Sequence, residues 1–352
     1  MRRTAPVIVL AAAAALLLSA CSGSGAKSDA ASTPKASTAK TADLGCDIKP
    51  GDVSNGVKVT GAVGSAPTVD VAKGLTAKTE ERTVLTTGTG VKPAAGTSVV
   101  VGFAAYDSTS GASISAPFGW GETKGELIIQ LGDGTKVPGL THTFGCAPVG
   151  SRIVYAAPAS TAFGSADNVS SNFTDGSVKA TDTIVFTGDV LEAIPQRADG
   201  ADQAPKAGFP TVKLASDGQP KVTYDKASTP PSVTEIEVLK KGTGAVVKAG
   251  ETVTVQYQGT EWKSGKIFDE SWGTAHGGTF PSTPASFPTT GVVKGFSDAL
   301  VGQPVGSQVL VVMTPADGYG ANPPANQTTI TKDSTLIFVV DILYTAPTPA
   351  QQ

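Results

Sequence analysis

The sequence predicts an α+β chain: an antiparallel curved sheet with one short helix against it, made twice in succession. Three observations predict this. The 352 residues include 41 glycines and 24 prolines, with many valines and threonines, which favours short strands and frequent turns over long helices. Period-2 runs such as TVTVQY at 252–257 and SQVLVVM at 307–313 read as strands with one face buried. Only FSDALVG at 296–302 has the apolar spacing of a helix, of about two turns. With 40% hydrophobic residues the chain is long enough for two domains with separate cores.

At the N-terminus, Arg2 and Arg3 precede an uncharged stretch from Ala5 to Ala20 that reaches Cys21 in the string LLLSAC. This reads as an export signal over residues 1–20, since the apolar run is shorter than the roughly 20 residues a spanning helix needs. LSAC at 18–21 resembles the lipobox of bacterial lipoproteins. That resemblance implies cleavage before Cys21, lipidation of its thiol and anchorage to the outer face of the cell membrane, where two acyl chains hold stably. Residues 21–43 are mostly Ser, Ala, Gly, Thr and Lys, and read as a disordered tether that cannot build a core.

Cys46 and Cys146 remain. Two cysteines in an exported chain favour a disulfide. A metal site is the alternative, but His142 and His276 stand in no Cys/His cluster at ligand spacing.

The mature chain repeats itself. VLTTGTG at 84–90 returns as VLKKGTG at 238–244, and PVGS at 148–151 as PVGS at 304–307. An apolar run and a Pro-containing turn follow each PVGS, APASTAFG at 157–164 and TPADGYG at 314–320. TIVFTGDVL at 183–191 matches TLIFVVDIL at 335–343, at nearly the same offset. Residues 197–218, rich in Ala, Gly, Asp and Pro without periodicity, read as a linker. The domains are therefore 44–196 and 219–345, with a tail at 346–352.

VQYQGTEWKSGKIFDES at 255–271, VVKGFSDALVGQPVGS at 292–307, YG at 319–320 and TLIFVVDIL at 335–343 together resemble the FKBP-type peptidyl-prolyl isomerases, in order and spacing. The resemblance implies two tandem FKBP-like domains. In the second, Tyr257, Phe268, Val292, Val293, Phe296 and Phe338 would line a proline pocket, with Ile330 on the loop above it. Tyr319 would donate to a substrate carbonyl, and Asp269 would be the polar group at the rim. Phe296 stands where the family usually has Trp. The segment from Trp272 to Pro284 is longer than the family's, and Phe280 is a candidate for a further aromatic wall.

In the first copy, Phe103 stands for Tyr257, Ile114 for Phe268, Ser115 for Asp269, Leu140 for Phe296 and Phe163 for Tyr319, while Phe186 still matches Phe338. The phenol and carboxylate are gone, so this copy reads as inactive.

The expected function is isomerisation of X-Pro bonds in exported proteins, with catalysis in the second domain; a non-catalytic peptide-binding chaperone is the alternative. The reaction breaks no bond to hydrogen, so it calls for no acid, base, nucleophile or cofactor. The expected partners are proline-containing polypeptides and the membrane, and the chain is expected to be monomeric. A net charge of −3 without a Lys/Arg-dense run gives no reason for nucleic-acid binding. A serine hydrolase finds no G-x-S-x-G elbow, and GTGVKPAAG and GTGAVVKAG are turns between strands, not phosphate loops.

Overall fold

The computed structural model describes residues 43–120, 127–132, 137–273, 283–325 and 327–348. The signal segment, Cys21, the tether and Phe280 lie outside the described residues.

The first half runs α1 (Asp52–Gly56), β1 (Lys58–Thr60), β2 (Thr68–Asp70), β3 (Glu81–Thr86), β4 (Ser98–Asp107), β5 (Ala112–Phe118), β6 (Leu127–Gln130), α2 (Pro138–Phe144), β7 (Arg152–Pro158), α3 (Ala159–Ala162), α4 (Ala166–Asn172) and β8 (Thr183–Ile194). The second half runs β9 (Ala201–Asp202), β10 (Thr211–Leu214), β11 (Pro220–Thr223), β12 (Glu235–Lys241), β13 (Thr252–Glu261), β14 (Ile267–Glu270), β15 (Ala285–Pro288), a 3-10 turn (Thr289–Gly291), α5 (Lys294–Leu300), β16 (Gln308–Met313) and β17 (Leu336–Ala346).

Beside two hairpins there are two large antiparallel sheets, and their strand orders correspond. One is β5-β4-β8-β7-β3 with β6 also on β4; the other is β14-β13-β17-β16-β12 with β15 also on β13 and β9 added beyond β12. The registers correspond as well: Tyr155 lies opposite Phe186 as Val311 lies opposite Phe338. The molecule is mostly β-sheet with few helices, as the composition requires.

Against the expected one helix per half, the described residues of the second half carry α5 on its sheet and those of the first half carry four α-helices. The segment expected as a Pro-containing turn at 157–164 carries α3, and α4 follows it. Ser165 caps α4 by accepting a hydrogen bond from the Asn168 amide at 3.1 Å, and Asn168 Nδ2 donates to the Phe163 carbonyl at 2.7 Å. Val169 is the buried residue of α4, so the segment shows no apolar period to read.

The expected linker at 197–218 is also corrected. The Ala198 amide donates to Asp341 Oδ2 at 2.9 Å, and β9 pairs with β12. β10 and β11 form a hairpin whose Val212 and Val222, with Phe209 and Tyr224, cover Leu310, Val312, Ile337 and Val339 on the outer sheet face. The β1–β2 hairpin does the same in the first half, packing Val59 and Val69 against Val154, Ala156 and Val185. The strands expected to bury one face therefore bury two. Every residue of β16 is buried, and its run QVLVVM, apolar at both parities, is the pattern of a strand covered on both sides.

Cys46 and Cys146 are bonded, with their Cα atoms 5.6 Å apart and a sequence separation of 100. The bridge ties the start of the folded chain to the end of α2.

Candidate active site

The inner face of the second sheet collects the residues singled out above. Phe296, Phe338 and Ile330 are at most 5% exposed and form the base of a cluster with Val309, Val311 and Met313. Half-buried Tyr257, Phe268, Val292, Val293 and Tyr319 pack against that base and reach the surface.

The geometry follows from local sequence. Gly295 lets α5 approach β16, because a Cβ there would lie 2.6 Å from Met313 Cγ; its amide donates to the Asp317 carbonyl at 2.8 Å. The next residue, Phe296, then enters the sheet face. Gly259 lies opposite both Asp269 and Phe338. Without a Cβ it lets the Phe268 and Phe338 rings meet edge to face over the strand, 5.4 Å between centroids. Phe296 is perpendicular to Phe338 at 4.9 Å and to Tyr257 at 6.2 Å. Such edge-to-face pairs favour one arrangement of the box over others.

Three polar side chains stand in this apolar wall, Tyr257, Asp269 and Tyr319. Tyr257 donates to Asp269 Oδ2 at 2.7 Å. Burial first, then the bond to Asp269 and its negative charge, push the Tyr257 phenol well above the ordinary tyrosine range. Burial and then Asp269 also raise the phenol of Tyr319. Both phenols therefore stay protonated at neutral pH, able to donate. Gln327 Nε2 donates to the Phe268 carbonyl at 3.1 Å.

All nine residues named from the sequence for this site thus come together. Sequence reasoning missed Phe287 on β15, whose ring stands 5.6 Å from Phe296, and it missed Gln327. Phe280, weighed for that further wall, lies outside the described residues. ASFP follows the long turn and pairs with β13, which places Phe287 opposite Val253.

The corresponding face of the first sheet is filled. Tyr155, which stands where the second copy has Val311, is fully buried and stacks on Phe186 at 6.0 Å. Phe163 meets Phe186 at 5.9 Å and Phe173 at 5.3 Å, and Phe103 meets Phe186 at 5.2 Å. Ile114 and Leu140 pack on the same cluster, and Ser115 pairs with Ala105 at the edge. Tyr155 donates to Glu80 Oε1 at 2.6 Å, the oxygen that His142 Nδ1 also meets at 2.5 Å. Aligning PVGSRIVYAAP with PVGSQVLVVMT would have revealed the exchange of Val311 for Tyr155.

Comparisons with known proteins bear on the second half. The family described as FKBP-type peptidyl-prolyl cis-trans isomerase matches residues 244–343. An FK506-binding protein of Streptomyces anulatus is 31% identical over 116 residues, covering 32% of this chain and 87% of the relative. The FKBP-type peptidyl-prolyl cis-trans isomerase FkpA of Escherichia coli is 33% identical over 114 residues, 32% of this chain but 38% of that protein. The match spans 24% of the 46 kDa FK506-binding nuclear protein of Spodoptera frugiperda, at 36% identity. The crystal structure of FkpA from Escherichia coli aligns with 39% of this chain and 53% of that one, at 31% identity and a TM-score of 0.28.

Proposed function

Because the chain belongs to the FKBP-type peptidyl-prolyl cis-trans isomerase family, we propose that the aromatic box of its second half turns over X-Pro bonds of polypeptides outside the cytoplasm. The observation that carries this is the convergence of Phe296, Phe338, Tyr257 and Phe268 around one point of the sheet, with Tyr257 fixed by its bond to Asp269 and Tyr319 protonated as a donor.

The chemistry asks for such a box. Rotation about the X-Pro bond meets a barrier of roughly 18–20 kcal/mol and takes tens of seconds or more without help. The planar amide is stabilised by resonance that places charge on its oxygen; the twisted amide has lost it. A dry apolar surround therefore favours the twisted form over the planar one, and each 1.36 kcal/mol of that preference gives about tenfold in rate. Phe296 and Phe338 would hold the pyrrolidine ring, Tyr257, Val292 and Val293 would flank it, and Tyr319 would donate to a neighbouring substrate carbonyl. Phe296 in place of the family's usual Trp keeps the aromatic base but gives up its indole donor.

The two halves are read as tandem FKBP-like domains, the first of them kept for folding or binding. The match of strand order and register supports the duplication. Tyr155 and Phe163, packed on Phe186, take up the face where a proline would go, which supports catalysis in the second half alone. Export and lipid anchorage at Cys21 rest on the LSAC signal.

The test is isomerisation of a proline peptide by the full mature chain. Phe268→Ala is expected to lower kcat/KM by more than about tenfold, since it opens the dry wall to water, while Ile114→Ala leaves it unchanged. A wild-type chain that binds the peptide without accelerating exchange would leave the chaperone reading in its place.

A further inference from the structure

The connection between β16 and β17 carries two site residues, Tyr319 and Ile330, and its own turns are closed locally. Asn322, Gln327 and Ile330 amides donate to the carbonyls of Tyr319, Pro324 and Gln327 at 2.9, 3.0 and 3.2 Å. These bonds shape the connection but do not fix it to the opposite wall. The side chain of Gln327 crosses to β14 and donates to the carbonyl of Phe268, the wall residue itself. Gln327 and Phe268 are both half-buried, so water competes for this bond less than at an open surface.

We infer that Gln327 is a positioning residue that latches this connection to β14 and thereby sets which residue the site accepts before the proline. The inference rests on the isomerase reading of the site. A proline held on Phe296 and Phe338 has its preceding Cα only about 3.8 Å away. That neighbour's side chain must lie at the rim, where half-buried Phe268 stands on one wall and half-buried Tyr319 on the other. The latch fixes the width of that gap. A large apolar side chain gains contact from a fixed gap; glycine, with no side chain, gains nothing.

The test uses the full mature chain and four peptides differing only before the proline: Leu, Phe, Ala and Gly. Gln327→Glu is isosteric but replaces the donor by an acceptor facing the Phe268 carbonyl. It is expected to lower kcat/KM about tenfold for Leu-Pro and Phe-Pro and less than about twofold for Gly-Pro, because one hydrogen bond is removed and only large neighbours use the gap it fixes. Gln327→Arg keeps an N–H donor and is expected to restore the preference. Hydrogen exchange at the Asn322 and Ile330 amides should accelerate in the Glu variant, with the β16 and β17 amides unchanged. Equal losses on all four peptides, or unchanged exchange at those two amides, would overturn the latch. If the wild type accelerates none of the peptides, the isomerase reading falls. The latch is then judged on the dissociation constants of the same four peptides, which must show the same loss of preference in Gln327→Glu or the inference falls too.

Discussion

Tyr257 donates its phenolic proton to Asp269 Oδ2 across 2.7 Å, joining β13 to β14 inside an otherwise apolar wall. The bond holds the Tyr257 ring against Phe296 and Phe338 and keeps the carboxylate from opening the box to water. Tyr257→Phe keeps the ring and deletes the bond. The expected loss of stability is about 1–2 kcal/mol in denaturant unfolding. The expected loss of kcat/KM on a proline peptide is up to about tenfold. An unchanged rate with lowered stability would mean that the bond serves the fold alone.

The bridge between Cys46 and Cys146 closes a span of 100 residues. In the chain-entropy account such a loop stabilises by up to ~4–5 kcal/mol. Replacing both cysteines by serine is expected to lower the denaturant midpoint of the first half, seen as a shifted or separated transition. Turnover at the second sheet should persist wherever the chain is folded. Free thiols in protein isolated under oxidising conditions would contradict the bridge.

Much of this could be read beforehand, and the failures have physical causes. Tyr257, Phe268, Asp269, Tyr319 and Phe338 were legible because the strings that carry them follow one family's order and spacing. Phe287 was not, because the turn before β15 has no counterpart of known length to align. β10 falls in the expected linker because its strand TVKL buries no side chain fully, and PKVT of β11 beside it buries only Pro220. Its signal lay elsewhere, in the double-sided apolar runs of β16 and β17, which require a second cover. Helix α4 escaped because Ser and Asn dominate it, and its stability comes from the Ser165 cap and Val169, not from an apolar stripe.

Cys21→Ser is expected to release the protein from membranes while leaving its isomerase rate unchanged. Cys21 carries the one anchoring signal found in the sequence, and two acyl chains are what make such an anchor stable. The measurement is partition between membrane and supernatant after a salt wash. Retention of the serine form would show that something other than lipid holds it.

Alkaline pH should weaken the native state. Burial first, and then the bond to a carboxylate, raise the phenols of Tyr155 and Tyr257 above their ordinary value of 10.0. A raised native value means that the folded chain keeps protons the unfolded chain releases. The contribution is therefore complete below about pH 10 and is lost as pH rises from there toward the native values. Thermal unfolding is expected to show a falling Tm from about pH 10 upward, with a shallower fall in Tyr155→Phe. A fall of equal steepness in that variant would remove Tyr155 from the account.

Gly259 gives the sharpest comparison between the two halves, because the first sheet has Ala105 at that position and no aromatic residue opposite Phe186 from β5. A Cβ on Gly259 would lie 2.7 Å from both Phe268 Cζ and Phe338 Cε1, closer than real Cβ contacts come. Both rings are held in edge-to-face contact, so neither can move without opening the box. Gly259→Ala is expected to cost about 1–3 kcal/mol in stability, the range for overpacking a filled interior. Catalysis should suffer more than the fold, with kcat/KM lowered by more than about tenfold, since the displaced ring is a wall of the site. Pairing the change with Phe268→Ile, the residue type of Ile114, should return much of the stability, by removing the clash with Phe268 and giving the Phe338 ring room to shift, and leave the activity low. If the double variant recovered full turnover, the Phe268 ring would not be part of the site, and the contrast drawn between the two sheets would fail with it.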